Sequence, residues 1–346
     1  MQCKKELILS EVMSVREMKS TERGTLLNVA KIFPPGEIYA VSDDEWMGVA
    51  ASYYGMLPVS LDDAEKLPLG VNVILFLRND LVSVDAREKL RRHRVLVVPI
   101  ASFDSSLEVA LYTQRLAMLT DYDDVRRRIG YWADSLRCKQ GALVFSDAPH
   151  GDAADGGTHL VCRLAENLRA EAWTDSEIGV GDWISVGLIC EFSLTAPSAT
   201  DWYGAFVIDG HAVASGILVA RDARYTEAGD ARIRAAQRLR DEITAMGPVD
   251  LRIENGVLTS ARAGGEDFTE ALLEVTNPEY ELHVLELGIG TNQSILPHVK
   301  WSLNSQLNEG AGPVHIGFGE GMTGAHIDFV VERAEHDFTV LDAVST

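Results

Sequence analysis

A chain of 346 residues, 46% hydrophobic and 24% charged, has the composition of a globular protein and the length for two cores. Its formal net charge of -21 argues against nucleic acid or an anionic membrane as partner, because phosphates meet repulsion over most of the surface. Four cysteines (Cys3, Cys138, Cys162 and Cys190), far apart and without a Cys-x-x-Cys pair, argue against a zinc ribbon or disulfide scaffold and for a reducing cytoplasm. The stretch from Met1 to Met13 carries Lys4, Lys5, Glu6 and Glu11 and reads as no signal peptide, and no apolar run approaches the roughly 20 residues of a bilayer span.

Residues 1–150 alternate strand-like and helix-like segments, as expected of an α/β domain. Val71 to Leu77 and Val95 to Ile100 are nearly continuous apolar runs, the pattern of strands buried on both faces. Ser83 to His93 between them reads as a helix with Lys89, Arg91 and Arg92 near its C-terminal end. Ser105-Ser106 is placed to cap a helix carrying Leu107, Val109, Leu111, Leu116 and Leu119, and Asp121 to Cys138 reads as the next. A turn-rich stretch from Ala142 to Asp155 marks the expected boundary.

Residues 151–346 read as an α+β, β-rich domain. Strands are expected at Thr158 to Leu164, Trp183 to Thr195, Gly204 to Ile208 and Ala212 to Val219, with Asp209-Gly210 as a turn between the last two. Asp230 to Met246 reads as a helix capped by Asp230 and stopped by Gly247-Pro248. Asn255-Gly256 between Val249–Glu254 and Val257–Ser260 is a hairpin signal, since both turn positions need positive φ. A short helix, Glu266 to Val275, precedes the segment that carries the chemistry.

That segment holds Glu286 between Leu285 and Leu287, then His315, then His326 and Asp328 in Ala325-His326-Ile327-Asp328-Phe329. In a strand, His326 and Asp328 project to one face. One imidazole and two carboxylates can hold a divalent metal and leave coordination positions open; the simpler reading is an ion pair or a satisfied histidine on a half-exposed strand. Gly288-x-Gly290 and Gly317-x-Gly319 lack the frame of a phosphate loop and suit close backbone approach. No Gly-x-Ser-x-Gly elbow supports a serine hydrolase. The remaining histidines (His93, His150, His159, His211, His283, His298 and His336) lack metal-ligand spacing and are assigned to surface or loop positions.

The ordered set Glu286-Leu287-Gly288-Ile289-Gly290-Thr291-Asn292, His315-Ile316-Gly317-Phe318-Gly319 and His326-Ile327-Asp328 resembles the metal-binding region of aminopeptidase T-type metallopeptidases and 2,5-dihydroxypyridine 5,6-dioxygenase. Upstream, Cys190-Glu191-Phe192-Ser193-Leu194-Thr195-Ala196-Pro197 is similar to their Gly-Glu-Val-x-Thr-Ala-Pro segment, and the resemblance spans about residues 185–331. For the peptidases it implies two metals (Zn or Co) on Glu191, Glu286, His315, His326 and Asp328. For the dioxygenase it implies one Fe(II) on Glu286, His326 and Asp328, with His315 and Glu191 as acid/base or supporting groups. It also implies a homodimer.

Two departures matter. Cys190 stands where the relatives have glycine, and the loop between His315 and His326 is shorter than theirs, without the peptidases' tyrosine. The expected function is therefore a divalent-metal enzyme, Fe(II)-dependent and dioxygenase-like, acting on an aromatic or peptide-derived substrate. The alternative is a peptide-binding protein on the same framework that assists maturation of a ribosomally made peptide natural product. A metalloaminopeptidase is the third reading.

Overall fold

The computed structural model describes residues 25–81, 84–137, 142–147, 157–164, 169–195, 206–222 and 224–339. The chain packs as two compact units. The first comprises Met1–Arg127, Trp173–Ile189 and Ser305–Leu307, and the second Arg128–Ala172, Cys190–Asn304 and Asn308–Thr346.

The first unit is built on a five-stranded parallel sheet. Its strands are β1 (Ile38–Ser42), β2 (Leu57–Ser60), β3 (Asn72–Phe76), β4 (Arg94–Val98) and β8 (Trp183–Ser185), in the order β2-β1-β3-β4-β8. Every residue of β3 is buried, which explains its apolar run Val73–Phe76, and the one polar residue, Asn72, donates its amide to the Pro34 carbonyl at 2.9 Å. The helices are α1 (Thr25–Ala30), α2 (Glu45–Tyr53), α3 (Val84–Leu90) and α4 (Leu107–Leu119), with α5 (Tyr122–Arg137) running on into the second unit. Ser106 Oγ accepts the Val109 N–H at 3.3 Å, the expected cap of α4. Asp121 does the same for α5, taking the N–H groups of Asp123 and Asp124.

The second unit carries two antiparallel sheets. One has seven strands in the order β14-β13-β12-β10-β6-β5-β18. They are β5 (Ala142–Ser146), β6 (His159–Leu164), β10 (Phe206–Ala214), β12 (Val249–Glu254), β13 (Val257–Ala263), β14 (Glu266–Asp267) and β18 (Glu335–Thr339). The other has six, in the order β11-β17-β16-β15-β9-β7. These are β7 (Arg169–Glu171), β9 (Glu191–Thr195), β11 (Gly216–Ala220), β15 (Val284–Gly290), β16 (Val314–Phe318) and β17 (His326–Val331). Helix α6 (Val186–Cys190) carries the chain from β8 of the first unit to β9 of the second, whose own helices are α7 (Glu227–Met246) and α8 (Thr269–Val275). The fold class is the expected one: parallel α/β first, antiparallel and β-rich after it. No helix among the described residues is long and apolar enough to cross a membrane.

Several local expectations are corrected. Trp183 to Thr195 is not one strand: β8 ends at Ser185, the turn of helix α6 follows, and β9 joins a different sheet. Asp209-Gly210 is not a turn, because β10 runs through it and the chain breaks at Ser215 instead. Gly210 has φ +130°, and a side chain there would collide with the His159 carbonyl of β6, so glycine serves close strand approach. Asp209 is engaged across strands, pairing with Arg163 and accepting the Asn255 N–H at 2.5 Å. Helix α7 starts earlier than expected, since Thr226 and not Asp230 is its cap, with Thr226 Oγ1 accepting the Gly229 N–H at 3.1 Å. Glu266-Asp267 is a short strand, and α8 begins only at Thr269. His93 lies in the bend between α3 and β4, a loop position as expected, but is buried there. The Asn255-Gly256 turn is as expected, with φ of 53° and 78°. Ala196-Pro197, His150 and most of the turn-rich stretch around residues 148–156 lie outside the described residues.

Strand β11 is an edge of the six-stranded sheet, and a side chain substitutes for the missing neighbour. Asn304 Oδ1 accepts the Val219 N–H at 2.9 Å, and its Nδ2 donates to the Val219 carbonyl at 2.8 Å, in buried surroundings. Asn304→Ala leaves both backbone groups unmatched and is expected to cost about 2–4 kcal/mol in urea unfolding. A loss below about 0.5 kcal/mol would mean that solvent satisfies this edge instead.

Candidate metal centre

Four adjacent strands of the six-stranded sheet supply the side chains singled out in the sequence: Glu191 on β9, Glu286 on β15, His315 on β16, and His326 with Asp328 on β17. The strand register explains the glycines around them. Glu191 lies opposite Gly290, and His315 opposite Gly288. Glu286 and Asp328 both lie opposite Gly317, one from each side. The row Glu286–Gly317–Asp328 thus crosses three strands with no side chain in the middle. A methyl group at Gly317 would lie 2.8 Å from Asp328 Oδ1, 2.9 Å from Glu286 Cβ and 2.9 Å from His326 Cε1. A methyl at Gly288 would collide with the His315 ring.

Glu286, His326 and Asp328 converge on this gap. Each presents a ligand atom within 4.8 Å of the other two. His326 Nε2 stands 3.1 Å from Asp328 Oδ1 and 3.3 Å from Glu286 Oε2. Atoms bound at about 2.0–2.2 Å to one transition ion stand about 3 Å apart, so these separations suit a shared cation. The Asp328 side chain is 1% exposed, and among the described residues neither of its oxygens has a partner apart from the His326 ring at 3.1 Å. A carboxylate buried in this way is costly unless a positive charge lies against it. His326 Nδ1 lies 2.8 Å from the Gly319 carbonyl, which only accepts, so Nδ1 carries the ring proton. Nε2 then turns its lone pair, or a second proton, towards two acids. The residues fit a divalent cation on all three counts: the empty position at Gly317, the buried Asp328 carboxylate with no partner but His326 among the described residues, and the donor set.

His315 and Glu191 stand beside the trio rather than in it. His315 Nε2 is 3.8 Å from Glu191 Oε2 and 3.9 Å from Glu286 Oε1, distances of attraction rather than of hydrogen bonds. Ser193, two residues beyond Glu191 on β9, donates its hydroxyl to Glu286 Oε1 and steadies that carboxylate. Glu309, in the short helical turn Gln306–Ala311 ahead of β16, is buried and close enough for its charge to be felt by Asp328, Glu191 and Glu286. Sequence reasoning missed it, because a glutamate between Asn308 and Gly310 carries no periodic signal.

Four carboxyl groups face two imidazoles here, and without a cation the cluster limits its charge by holding protons. Burial, reinforced by Glu286 and Asp328, raises Glu191 to about 8 against the opposing pull of His315. Burial and then Asp328, Glu191 and Glu286 push Glu309 well above the usual carboxylate range. Burial alone would lower both imidazoles, but the surrounding acids outweigh it. His315 rises to about 9, and His326 moves well above the ordinary histidine value, chiefly through Asp328. Glu286 goes the other way: burial opposes its charge, but His315 and His326 hold it well below the usual range. A bound cation would release protons from this cluster.

The comparisons with known proteins come to three findings. A family model described as "Crocagin biosynthetic protein CgnE/B" matches residues 35–339. Among solved structures the chain is similar to "Wild-type AmpT from Thermus thermophilus", with 14% identity and a TM-score of 0.47 over 92% of this chain and 95% of that one. No curated protein matches the sequence.

Two outcomes are expected of the centre. Gly317→Ala fills the gap and should weaken Co²⁺ affinity, measured by calorimetry, more than about tenfold; unchanged affinity would place the cation elsewhere. The second concerns pH. Folded-state values raised from 6.5 to about 9 for His315 and from 4.5 to about 8 for Glu191 mean that the native state holds extra protons in those intervals. Their stabilisation is complete at low pH and is lost as pH rises. The melting temperature of EDTA-treated protein should therefore fall between pH 6 and 9, and added divalent metal should restore it most at the alkaline end. A flat or rising profile would contradict this account.

Proposed function

Because the chain belongs to the crocagin biosynthetic protein CgnE/B family, we propose that it binds the ribosomally made precursor peptide of such a product during maturation, with a divalent cation on Glu286, His326 and Asp328 at the floor of the peptide site. The observation that carries the cation half of the reading is the buried Asp328 carboxylate, which has no partner but the His326 ring among the described residues and faces Glu286 across the empty position at Gly317. The family supports the peptide half: biosynthesis of a peptide natural product is the setting of a peptide-binding relative, and less that of an enzyme for free hydroxypyridines.

The Glu286 and His326 side chains are 20% and 19% exposed while Asp328 and His315 are sealed, so a ligand approaching the cation meets the Glu286–His326 side first. A net charge of -21 favours a neutral or basic peptide over an acidic one. Strand β7, three residues long, lies next to the Glu191 strand and is the outer edge of this sheet among the described residues, where a peptide strand could be added.

A second reading keeps the same centre for catalysis, and the donor set favours it: one imidazole and two carboxylates leave positions open for substrate. A divalent cation, Fe(II) or else Zn or Co, supplies Lewis acidity and a place for a small co-substrate when bound. His315 and Glu191 would hold and pass a proton beside it, at His315 Nε2 and Glu191 Oε2. We propose a homodimer as the assembly, to be measured by light scattering.

Calorimetry with the precursor peptide, run on the wild type, Glu286→Ala and His326→Ala, decides between the two readings. A peptide-holding protein should bind with the wild type and lose less than about tenfold, roughly 1.4 kcal/mol, in either variant. A catalytic centre should convert the peptide with Fe(II) and oxygen, and should lose conversion in both variants. No heat with the wild-type protein, under either condition, would remove the peptide reading.

A further inference from the structure

The short segment from Gly319 to Ala325 joins the His315 strand to the His326 strand, and its polar groups are spoken for on both sides. The Glu320 carboxylate lies inside it. Oε1 accepts the Thr323 N–H at 2.6 Å, the Thr323 hydroxyl at 2.7 Å and the Gly324 N–H at 3.3 Å, while Oε2 accepts the Met322 N–H at 3.1 Å. Fully buried Asn277 closes the ring. Its Oδ1 accepts the Glu320 N–H at 3.0 Å, and its Nδ2 donates to Glu320 Oε1 at 2.9 Å and to Thr323 Oγ1 at 2.7 Å.

The loop carbonyls face the other way. Gly321 O accepts the Asp222 N–H, and Met322 O accepts the N–H of Thr226, the cap of α7, both at 2.9 Å. The Gly319 carbonyl receives the His326 ring proton at 2.8 Å. Gly319 and Gly321 have φ of 78° and 80°, and a side chain at Gly319 would collide with the Ala325 carbonyl. Three glycines in so short a loop cost much backbone entropy to order, so something must hold it. A charged acceptor taking three backbone N–H groups is a strong way to do so.

We infer that Glu320 and Asn277 are positioning residues for His326: their ring of bonds fixes the Gly319 carbonyl, and that carbonyl sets the tautomer and direction of the imidazole that faces Glu286 and Asp328. The inference rests on the reading of that trio as a cation site. Groups that orient a ligand histidine through its second nitrogen tune affinity without touching the metal.

The test uses the full chain with Glu320→Ala, Glu320→Gln and Asn277→Ala, each checked for folding by circular dichroism. The first readout is Co²⁺ affinity by calorimetry well below the melting temperature. Glu320→Ala and Asn277→Ala should weaken it about 10–100-fold. Glu320→Gln should recover part of the loss, because an amide oxygen still accepts from Thr323 and Gly324. The second readout is the His326 Nδ1–H resonance in imidazole-optimised ¹⁵N spectra, assigned with His326→Gln. It should be sharp in the wild type and lost to solvent exchange in Glu320→Ala.

Unchanged cobalt affinity together with an unmoved His326 resonance would overturn the inference, even if the variants melt earlier. If the wild type itself takes up no cobalt, the cation reading fails and the resonance alone decides the positioning role: retained in Glu320→Ala, it refutes it, and lost, it supports it. Should Glu320→Ala not fold, Glu320→Gln carries both measurements, with a several-fold weaker affinity and a broadened resonance expected against wild-type behaviour.

Discussion

A carboxylate sealed from solvent, with no partner but one imidazole among the described residues, is the constraint on which the candidate centre depends. Asp328 is that group, and the space before it exists because Gly317 separates it from Glu286. Desolvating an ionised acid costs several kcal/mol, and only a cation or a proton nearby offsets it. The neighbouring parts follow from this. His326 sits on the same face of β17, two residues away, and its ring is turned by the Gly319 carbonyl so that Nε2 meets both acids. Ser193 holds Glu286 from the next strand.

The sheet makes this arrangement rigid. Each acid or imidazole on β9, β15 and β16, with Asp328 on β17, stands opposite a glycine, so large polar side chains share one crowded surface without displacing the strands. The electrostatic cost of crowding four acids together appears as protons retained on Glu191 and Glu309 and on both imidazoles. A centre that holds protons when empty and releases them to a cation is matched to reversible metal occupancy. The centre alone fits either proposed role, anchoring a peptide or acting on one, and only the family weighs towards the peptide.

The trio was legible in the sequence because it depends on short-range rules. His326 and Asp328 are two apart on a strand, and Glu286 between two leucines is an uncomfortable carboxylate without a partner. The cap of α4, the start of α5 near Asp121 and the Asn255-Gly256 turn were legible for the same local reason. What was hidden depends on pairing between distant strands. That Gly317 is the empty position between two acids follows only from the register of β15, β16 and β17. Gly210 looked like a turn because the neighbouring His159 backbone lies 51 positions away in the chain (210 - 159). Glu309 reaches the centre from an irregular turn, and Trp183–Thr195 divides between two sheets, neither of which any periodicity announces. The resemblance to dioxygenases and peptidases pointed to the strands on which these side chains meet, and the peptide-product setting, the alternative reading of the sequence, is the one the family supports.

Anomalous diffraction from crystals grown with Co²⁺ tests the central claim most directly. The account predicts one strong peak in the Gly317 gap, about 2.0–2.2 Å from Glu286, from His326 Nε2 and from Asp328. Cobalt found only elsewhere on the chain, with the gap empty and Asp328 unchanged, would contradict it.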